Sequence, residues 1–384
     1  MEWFLSRSGY VLMTNIRRAL QAAAGAGGGG TISGMASGTN GDGQLGLGNT
    51  TNYSSPVLVG TKDTWSKLGG GRSATIAVKA DGTLWMWGRN NKGQLGDGAI
   101  TNLSVPTQVG ALENWLQPAM GFEFSGCTKT DGTLWTWGTG TNGVLGNGTG
   151  TDISSPVQVG SLTDWALVAF GTYHGMAVKT GGTLWAWGNG YWGNLGQGSS
   201  TTYSSPVQIG SATTWLTASG GYGFTTAIKT DGTIWATGKN NFGQLGRGSS
   251  TAKETSLAQI GGLTTWSKVA SIYGSTAAIK TDGTIWAWGR NNNGELGQGT
   301  TANKSSPVQI GALTDWSRVY GTIGHHFLAI KTDGTLWGWG NNESGELGDG
   351  TTTKRSSPVQ IGALTTWLVA SASYNCSMSL EGPP

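Results

Sequence analysis

The sequence predicts an all-β fold, a β-propeller of seven blades, and three observations point to it. A Leu-Gly-x-Gly phrase occurs seven times, its leucine recurring every 50 or 51 residues. Seven isolated tryptophans keep the same interval, and a Gly-Thr-Leu/Ile-Trp phrase occurs six times. A repeat of this length with strand-like content indicates a propeller or a solenoid. The leucines are Leu45, Leu95, Leu145, Leu195, Leu245, Leu296 and Leu347, and the tryptophans are Trp65, Trp115, Trp165, Trp215, Trp266, Trp316 and Trp367.

Each repeat is predicted to contain four short strands. In AIKTDGTIWAWG, residues 278–289, two apolar runs flank Asp-Gly, which favours a hairpin because type I′ turns need positive φ. Trp286 and Trp288 share one face of the second strand, and Ile285 and Ala287 take the other. Both faces are apolar, so the sheet is expected to pack between two neighbours. NNNGELGQG and the extended SSPVQIG complete a unit that matches a propeller blade.

The two chain ends are predicted to build the last blade together. Residues 367–382 have the pattern of the first half of a unit, and residues 34–48 have the pattern of the second half. Pairing the ends closes the ring and removes free sheet edges, which otherwise favour aggregation. The propeller is therefore predicted to span residues 31–384, with one blade closed by its N- and C-terminal halves.

Residues 1–30 do not fit the repeat and are predicted to form a leader with a short N-terminal helix and a glycine linker. In residues 14–25, TNIRRALQAAAG, Thr14 suits a helix N-cap, and Ala, Leu, Arg and Gln favour the helix. GAGGGG at 25–30 has the composition of a flexible linker. Because so short a helix is marginal alone, a frayed terminus and an anchor into an assembly both stay open. The candidate anchor residues are Ile16, Arg17, Arg18 and Leu20.

Composition and charge exclude several classes of function. The formal net charge is +3, and no basic stripe or arm occurs, so no nucleic-acid partner is expected. No apolar run reaches the roughly 18 residues of a membrane helix, so no membrane span is expected. The two cysteines, Cys127 and Cys376, give neither a disulfide framework nor a zinc-binding spacing.

No catalytic set is found in the sequence. The three histidines are His174, His325 and His326, and no nucleophile elbow, HExxH motif or phosphate loop accompanies them. The adjacent histidines point apart if they lie in a strand. The chain is therefore expected to have no enzyme activity, no cofactor and no metal.

Departures from the repeat indicate candidate binding residues. Scaffold positions should repeat, whereas loop positions that face a partner need not. Aromatic residues in turns that are polar in other copies suit binding anchors, with packing on a neighbouring loop as the alternative. The turn candidates are Tyr191, Trp192 and Phe242. The candidates just before the inner strand are Phe122, Phe124, Tyr173, His174, Tyr222, Phe224, Tyr273, His325 and His326, in a variable stretch that also includes Arg72 and Tyr374.

One lysine recurs beside the hairpin turn and its aspartate. It is predicted to offset the aspartate charge, with a positive ring for an anionic ligand as the alternative. The lysines are Lys79, Lys129, Lys179, Lys229, Lys280 and Lys331.

The phrases DGTLWAWGNNxxGxLGxG, SSPVQIG and the tryptophan that follows resemble the RCC1 repeat, named for the regulator of chromosome condensation. The resemblance covers residues 31–382 and implies a seven-bladed propeller with a split closing blade. The family includes exchange factors for small GTPases, ubiquitin ligase components and bacterial secreted inhibitors, so the fold alone does not set the function. No extended loop that could wedge into a GTPase and no basic tail occur in the sequence, which disfavours exchange activity.

MTNIRRALQAAAG, residues 13–25, resembles the N-terminal leaders of structural and tail-fibre-like proteins of marine bacteriophages. The expectation is a non-enzymatic binding or structural protein of a phage virion, tail-associated or on the surface, present in several copies. Its propeller would contact a host surface receptor or another virion protein. The alternatives are a bacterial secreted or surface propeller that binds another protein, a small-GTPase exchange factor, and a hydrolase with His174 and His325 in the central channel.

Overall fold

The structure, a computed structural model, describes residues 32–61, 63–250 and 253–383. Within these ranges, 28 strands form seven four-stranded antiparallel sheets. The predicted all-β propeller of seven blades is confirmed. The predicted helix at 14–25, the glycine linker and the anchor residues Ile16, Arg17, Arg18 and Leu20 lie outside the described residues.

Six blades each use four strands that are consecutive in the chain, and the closing blade uses strands from both ends. A 3-10 turn, Thr141–Gly143, also occurs among the described residues. Blade 1 comprises β3 (Trp65–Gly70), β4 (Ala74–Lys79), β5 (Leu84–Gly88) and β6 (Leu103–Gln108); blade 2 comprises β7 (Trp115–Met120), β8 (Phe124–Lys129), β9 (Leu134–Gly138) and β10 (Ile153–Gln158); blade 3 comprises β11 (Trp165–Phe170), β12 (His174–Lys179), β13 (Leu184–Gly188) and β14 (Tyr203–Gln208); blade 4 comprises β15 (Trp215–Gly220), β16 (Phe224–Lys229), β17 (Ile234–Gly238) and β18 (Glu254–Gln259); blade 5 comprises β19 (Trp266–Ser271), β20 (Ser275–Lys280), β21 (Ile285–Gly289) and β22 (Lys304–Gln309); blade 6 comprises β23 (Trp316–Tyr320), β24 (His326–Lys331), β25 (Leu336–Gly340) and β26 (Arg355–Gln360); the closing blade comprises β27 (Trp367–Ala372), β28 (Cys376–Glu381), β1 (Ser33–Gly38) and β2 (Tyr53–Leu58).

The first strand of each blade is the innermost, because these strands contact one another in a ring that runs from β3 to β27 and back to β3. Antiparallel pairing then brings the connections to two opposite faces. We call the loop face the one that carries the turns between first and second strands and the loops between third and fourth strands, such as 71–73 and 89–102. We call the hairpin face the one that carries the turns between second and third strands and the links between blades, such as 80–83 and 109–114.

The closing blade pairs the two chain ends as predicted. The N-terminal strand β1 lies between β28 and β2, with Ser33 opposite Glu381 and Gly38 opposite Cys376. A strand in the middle of a sheet uses both of its hydrogen-bonding edges, so the chain ends complete the blade as interior strands. Both cysteines are buried and free, which agrees with the absence of a disulfide framework from the sequence.

A buried indole joins blades 2, 3, 5 and 6 each to the preceding blade. Trp137 is fully buried, and its Nε1 donates a hydrogen bond of 2.9 Å to the carbonyl of Gln94 in the preceding blade. The Leu-Gly turn of that preceding blade therefore receives both the apolar ring and its one donor. The same bond runs from Trp187 to Val144, from Trp288 to Gln244 and from Trp339 to Glu295.

The glycine of the Leu-Gly turn is required by this contact. Gly96 has φ of +71°, in the left-handed region that glycine occupies without a Cβ penalty. A Cβ at Gly96 would also lie 2.7 Å from Trp137 Nε1. The repeated Leu-Gly-x-Gly and Trp-x-Trp-Gly phrases are therefore two halves of one interface between blades.

The recurring lysines pack between two tryptophans on the hairpin face. Lys129 Nζ lies 4.5 Å from the ring centroid of Trp115 and 3.7 Å from that of Trp135. A bulge after the first tryptophan of each blade sets this register, because it leaves Trp115 paired with Lys129. Cation–π contact with two indoles is therefore a main role of the lysine. Its charge also lowers the pKa of the turn carboxyl, as at Asp131, where hydrogen bonds from Thr133 contribute more.

Gly96→Ala is expected to destabilise the propeller far more than Gly110→Ala. Both glycines have positive φ, but Gly110 has open space where its Cβ would stand. Each substitution should cost about 1–2 kcal/mol of unfolding free energy for the left-handed backbone, and Gly96→Ala should cost about 1–3 kcal/mol more for the contact with Trp137. Urea unfolding of both variants measures the difference. Equal destabilisation would mean that the indole contact does not constrain this turn.

Candidate protein-binding face

The departures from the repeat that were singled out in the sequence lie on the loop face or directly beneath it. The variable stretches form the turns that lead into the second strands, and Tyr191, Trp192 and Phe242 lie in the loops that follow β13 and β17. The hairpin face instead repeats the Lys-Thr-Asp-Gly-Thr turn with few changes. The two faces thus differ in kind, one uniform and the other individual to each blade.

Six ring-bearing side chains on the loop face form a closed ring of contacts, which we call the aromatic collar. In chain order the successive ring centroids lie 5.6, 5.9, 4.8, 4.8 and 5.9 Å apart, and the last returns to the first at 6.3 Å. Six rings in a closed ring form a hexagon, and in a hexagon the radius equals the side. Each side chain therefore lies about one centroid spacing from the axis, so the six rings fill much of the mouth of the central channel. The members are Phe122, Tyr173, Tyr222, Tyr273, His325 and Tyr374.

Two arginines flank the collar. Arg72, from the blade that contributes no ring, lies 4.6 Å from the centroid of Phe122 and pairs with Glu123 at 3.3 Å. Arg290 lies 5.5 Å from the centroid of Tyr273, and its guanidinium is 3.2 Å from Nδ1 of His325. Burial and the neighbouring Arg290 charge lower the pKa of His325 to about 4. The imidazole is therefore neutral at pH 7 and accepts a hydrogen bond from the arginine.

Four predicted binding residues are instead part of the core, which corrects the prediction. Phe124, Phe224, His174 and His326 are each fully buried. They are the first residues of the second strands, and alternation in a strand turns them between the blades while their predecessors stay at the surface. His174 Nε2 lies 2.9 Å from Thr225 Oγ1, and His326 Nε2 lies 2.8 Å from Ser377 Oγ. Desolvation lowers both pKa values to about 3, so both imidazoles are neutral.

The three turn aromatics differ in exposure. Tyr191 is 65% exposed, whereas Trp192 and Phe242 are partly buried. Trp192 packs on the next blade, where a Cβ at Gly223 would lie 2.5 Å from its Cδ1. Trp192 therefore packs on a neighbouring loop and Tyr191 faces solvent, while the role of these aromatics as binding anchors stays a prediction.

A pocket opens on the loop face at the junction of blades 3 and 4. Its volume is about 230 Å³. Of the predicted residues, the structure brings Tyr191, Trp192, Tyr173 and Tyr222 together here, with His174 beneath them. The lining is Tyr173, His174, Asn189, Tyr191, Trp192, Asn194, Tyr222 and Gly223.

Three cations of this region were missed at the sequence level. Lys239 Nζ lies 4.8 Å from the Trp192 ring centroid and 4.4 Å from that of Tyr222. Lys253 Nζ donates to the Tyr191 carbonyl at 3.1 Å, and Arg290 lies 5.8 Å from the Phe242 centroid. The sequence did carry a signal for Lys239 and Arg290, since the residue that follows the position of the Trp-x-Trp-Gly phrase also varies. It is Thr39, Arg89, Thr139, Asn189, Lys239, Arg290 and Asn341 in the seven copies.

Among the residues that the structure describes, no cluster of three or more His, Cys, Asp or Glu side chains is able to hold a metal ion. No helix within the same ranges has the length and apolarity needed to cross a bilayer.

Comparison with known proteins identifies the repeat. The Regulator of chromosome condensation (RCC1) repeat matches five stretches, and a second description of the same repeat matches three more. The stretches are 81–127, 131–178, 181–228, 282–327 and 333–380 for the first, and 65–94, 218–244 and 267–295 for the second.

Sequence relatives match part of the chain, and solved structures match nearly all of it. Protein RCC2 homolog of Xenopus laevis is 30% identical over 118 residues, which is 28% of this chain and 23% of that protein. The match thus spans about a quarter of such relatives. Human WBSCR16 superimposes with a TM-score of 0.82 at 19% identity, covering 92% of this chain and 99% of that one. Prp20p of Saccharomyces cerevisiae gives 0.83 at 20% identity, with 93% of each chain covered. At such identity the two structures share the fold.

His174→Phe is expected to weaken the acid sensitivity of folding. The pKa of His174 is about 3 in the folded chain and about 6.5 when unfolded, so protonation favours unfolding. Its contribution is complete above pH 6.5 and is lost as the pH falls toward 3. Phe124 and Phe224 hold the same position in blades 2 and 4, so phenylalanine suits the site.

Urea unfolding at pH 7 and pH 4 measures this effect. Between these values the wild type should lose roughly 2–3 kcal/mol more stability than the variant. Parallel losses in the two proteins would contradict the burial of a neutral imidazole at residue 174.

Proposed function

Because the chain belongs to the family of Regulator of chromosome condensation (RCC1) repeats, we propose that it is a binding protein whose loop face recognises a protein partner. The observation that carries the proposal is the contrast between the two faces. The same scaffold builds both, yet the hairpin face repeats and the loop face differs from blade to blade. A surface that must fit one particular partner is expected to lose its repeat, because each blade meets a different part of that partner.

The chemistry of the loop face supports this proposal. Binding hot spots are enriched in tryptophan, tyrosine and arginine, and the loop face supplies these three types with Trp192, Tyr191 and Arg290. Tyr191 and Tyr173 expose 65% and 38% of their surfaces. Trp192 and Phe242 are held against neighbouring loops, so little side-chain entropy is lost when a partner covers them. The face therefore offers preorganised apolar anchors beside cations.

A relative gives independent support for this class of function. The structural report on yeast Prp20p describes its binding to Gsp1p and histones, which is a property of that protein. A propeller of this shape is thus suited to binding proteins. Exchange activity on a GTPase is a separate prediction, disfavoured by the lack of an inserted wedge loop in the sequence.

The double variant Phe242→Ala with Arg290→Ala is expected to lose the partner. The immobilised protein is used to capture proteins from an extract of the organism that encodes it, followed by purification of the captured protein and titration. Removing two adjacent anchors should raise the dissociation constant for the partner at least about tenfold, since a hot-spot residue contributes about 2 kcal/mol.

A hairpin-face variant provides the matched control. Leu313 is exposed in a link between blades, and Leu313→Ala should leave partner binding unchanged. Loss of binding by Leu313→Ala, with full binding by the loop-face variant, would overturn the assignment of the loop face.

The placement in a phage virion stays a prediction. It depends on residues 13–25, which lie outside the described residues, and the loop-face proposal does not require it. Virus particles purified from the host should contain the chain if the prediction is right. Deletion of residues 1–30 should then remove it from particles while the propeller still folds. Full incorporation of the deleted protein would contradict an anchoring role for Ile16, Arg17, Arg18 and Leu20.

A further inference from the structure

The junction of blades 3 and 4 departs from the repeat at two positions that face each other. Thr237 stands where blades 2, 3, 5 and 6 carry the buried indole that joins them to the preceding blade. Across the junction, Asn194 stands where the other loops carry Gln44, Gln94 and Gln244, or Val144 and two glutamates. Both substitutions are to smaller side chains, and Asn194 lines the pocket on the loop face between these blades.

Asn194 cannot do what glutamine does at this position. Gln94 Oε1 accepts the backbone N–H of Lys92 at 2.8 Å, and Gln244 does the same for Phe242. Asn194 is one methylene shorter, and its Nδ2 donates to the Asn189 carbonyl at 2.8 Å instead. Its Oδ1 is buried and has no hydrogen-bond partner among the described residues. A buried acceptor without a donor costs about 1–3 kcal/mol, so the site favours a ligand that brings one.

The walls around Asn194 are aromatic. Tyr191 and Trp192 meet edge to face with centroids 5.0 Å apart, and Tyr173 and Tyr222 meet similarly at 5.9 Å. Such rings offer faces to apolar C–H groups, while the tyrosine hydroxyls and the Asn189 amide add polar groups at the edges. The pocket therefore suits a ligand with an apolar face and a polar rim.

The size and charge of the pocket limit which ligands it can bind. At about 230 Å³, the pocket is below the range of about 300–1,000 Å³ that is usual for drug-sized ligands, so it suits a single ring. Lys239 Nζ already occupies the cation–π position over Trp192 and Tyr222, so a cationic guest such as a lysine or arginine side chain would be repelled. A ring with several hydroxyl donors and no positive charge fits these conditions.

We propose that this pocket binds one neutral pyranose ring of a glycan. The C–H face of the sugar packs on the aromatic walls, and a hydroxyl donates to Asn194 Oδ1. A phenol side chain of a peptide would bring one donor, whereas a pyranose brings several around its edge. The inference rests on the proposed function and deepens it, since it names a chemical group through which the loop face meets its partner.

Saturation-transfer NMR with the full chain and methyl glycosides of glucose, galactose, mannose and N-acetylglucosamine tests the inference. At least one glycoside should receive saturation from the wild type. Asn194→Gln restores the side chain that three other repeats carry, so it should fill the pocket and weaken sugar binding at least tenfold without lowering the thermal midpoint of unfolding. Tyr191→Ala removes an exposed wall, which folding does not need, and should weaken the sugar as well.

Gln94→Asn is the matched control, because it makes the same shortening in a loop that carries Lys92 instead of tryptophan. It should neither create a second sugar site nor change the first. The inference is overturned if no glycoside receives saturation from the wild type, or if Asn194→Gln binds as well as the wild type. It is also overturned if tyrosine-containing peptides bind the pocket and the glycosides do not displace them.

The two proposals fail in distinguishable ways. Phe242 and Arg290 lie outside the residues that line the pocket, so their double variant should keep sugar binding while it loses the protein partner. If the double variant loses the protein partner and the wild type binds no sugar, the proposed function stands and the glycan inference is overturned.

Discussion

The contact between a buried indole and the Leu-Gly turn of the preceding blade is the interaction on which the rest of the structure depends. It places the donor of Trp137 on the carbonyl of Gln94 and brings the ring against Gly96. Because a Cβ at Gly96 would overlap the indole, ring and turn constrain one another. Blades 2, 3, 5 and 6 are thereby set relative to the blades before them.

This constraint acts at the base of each loop and leaves the tip free. The Leu-Gly half of the loop is held inside the interface, whereas the turn residues three positions before the leucine reach the surface. Those turn residues are Asp42, Lys92, Asn142, Trp192, Phe242, Asn293 and Ser344. The loop face is therefore able to change without loss of the scaffold. At the junction of blades 3 and 4 the indole itself is replaced by Thr237, whose Oγ1 lies 2.9 Å from the Gly193 carbonyl. The polar link between the blades is kept by a smaller side chain.

The two faces also differ in the contacts that their cations make. On the hairpin face, each recurring lysine packs between two indoles, so its charge is engaged within the scaffold. On the loop face Lys239 and Arg290 lie over aromatic rings, and Arg290 is partly exposed whereas Lys239 is buried. The histidines stay neutral because they are desolvated, so around neutral pH the loop face is expected to change little with acidity.

The sequence by itself determined the number of blades, the four strands of each and the closing blade, because these follow from local periodicity and a regular interval. It also located the variable stretches that supply the collar. It could not decide which of two nearby residues in a stretch faces the axis. Phe122 joins the collar and Phe124, two positions later, enters the core, whereas the adjacent His325 and His326 divide between collar and core. That choice depends on strand register. Contacts with a residue about 50 positions away in the chain set this register. The tertiary structure alone brought Lys239 to Trp192 and set Asn194 across from Thr237, because these pairs meet only where two blades pack.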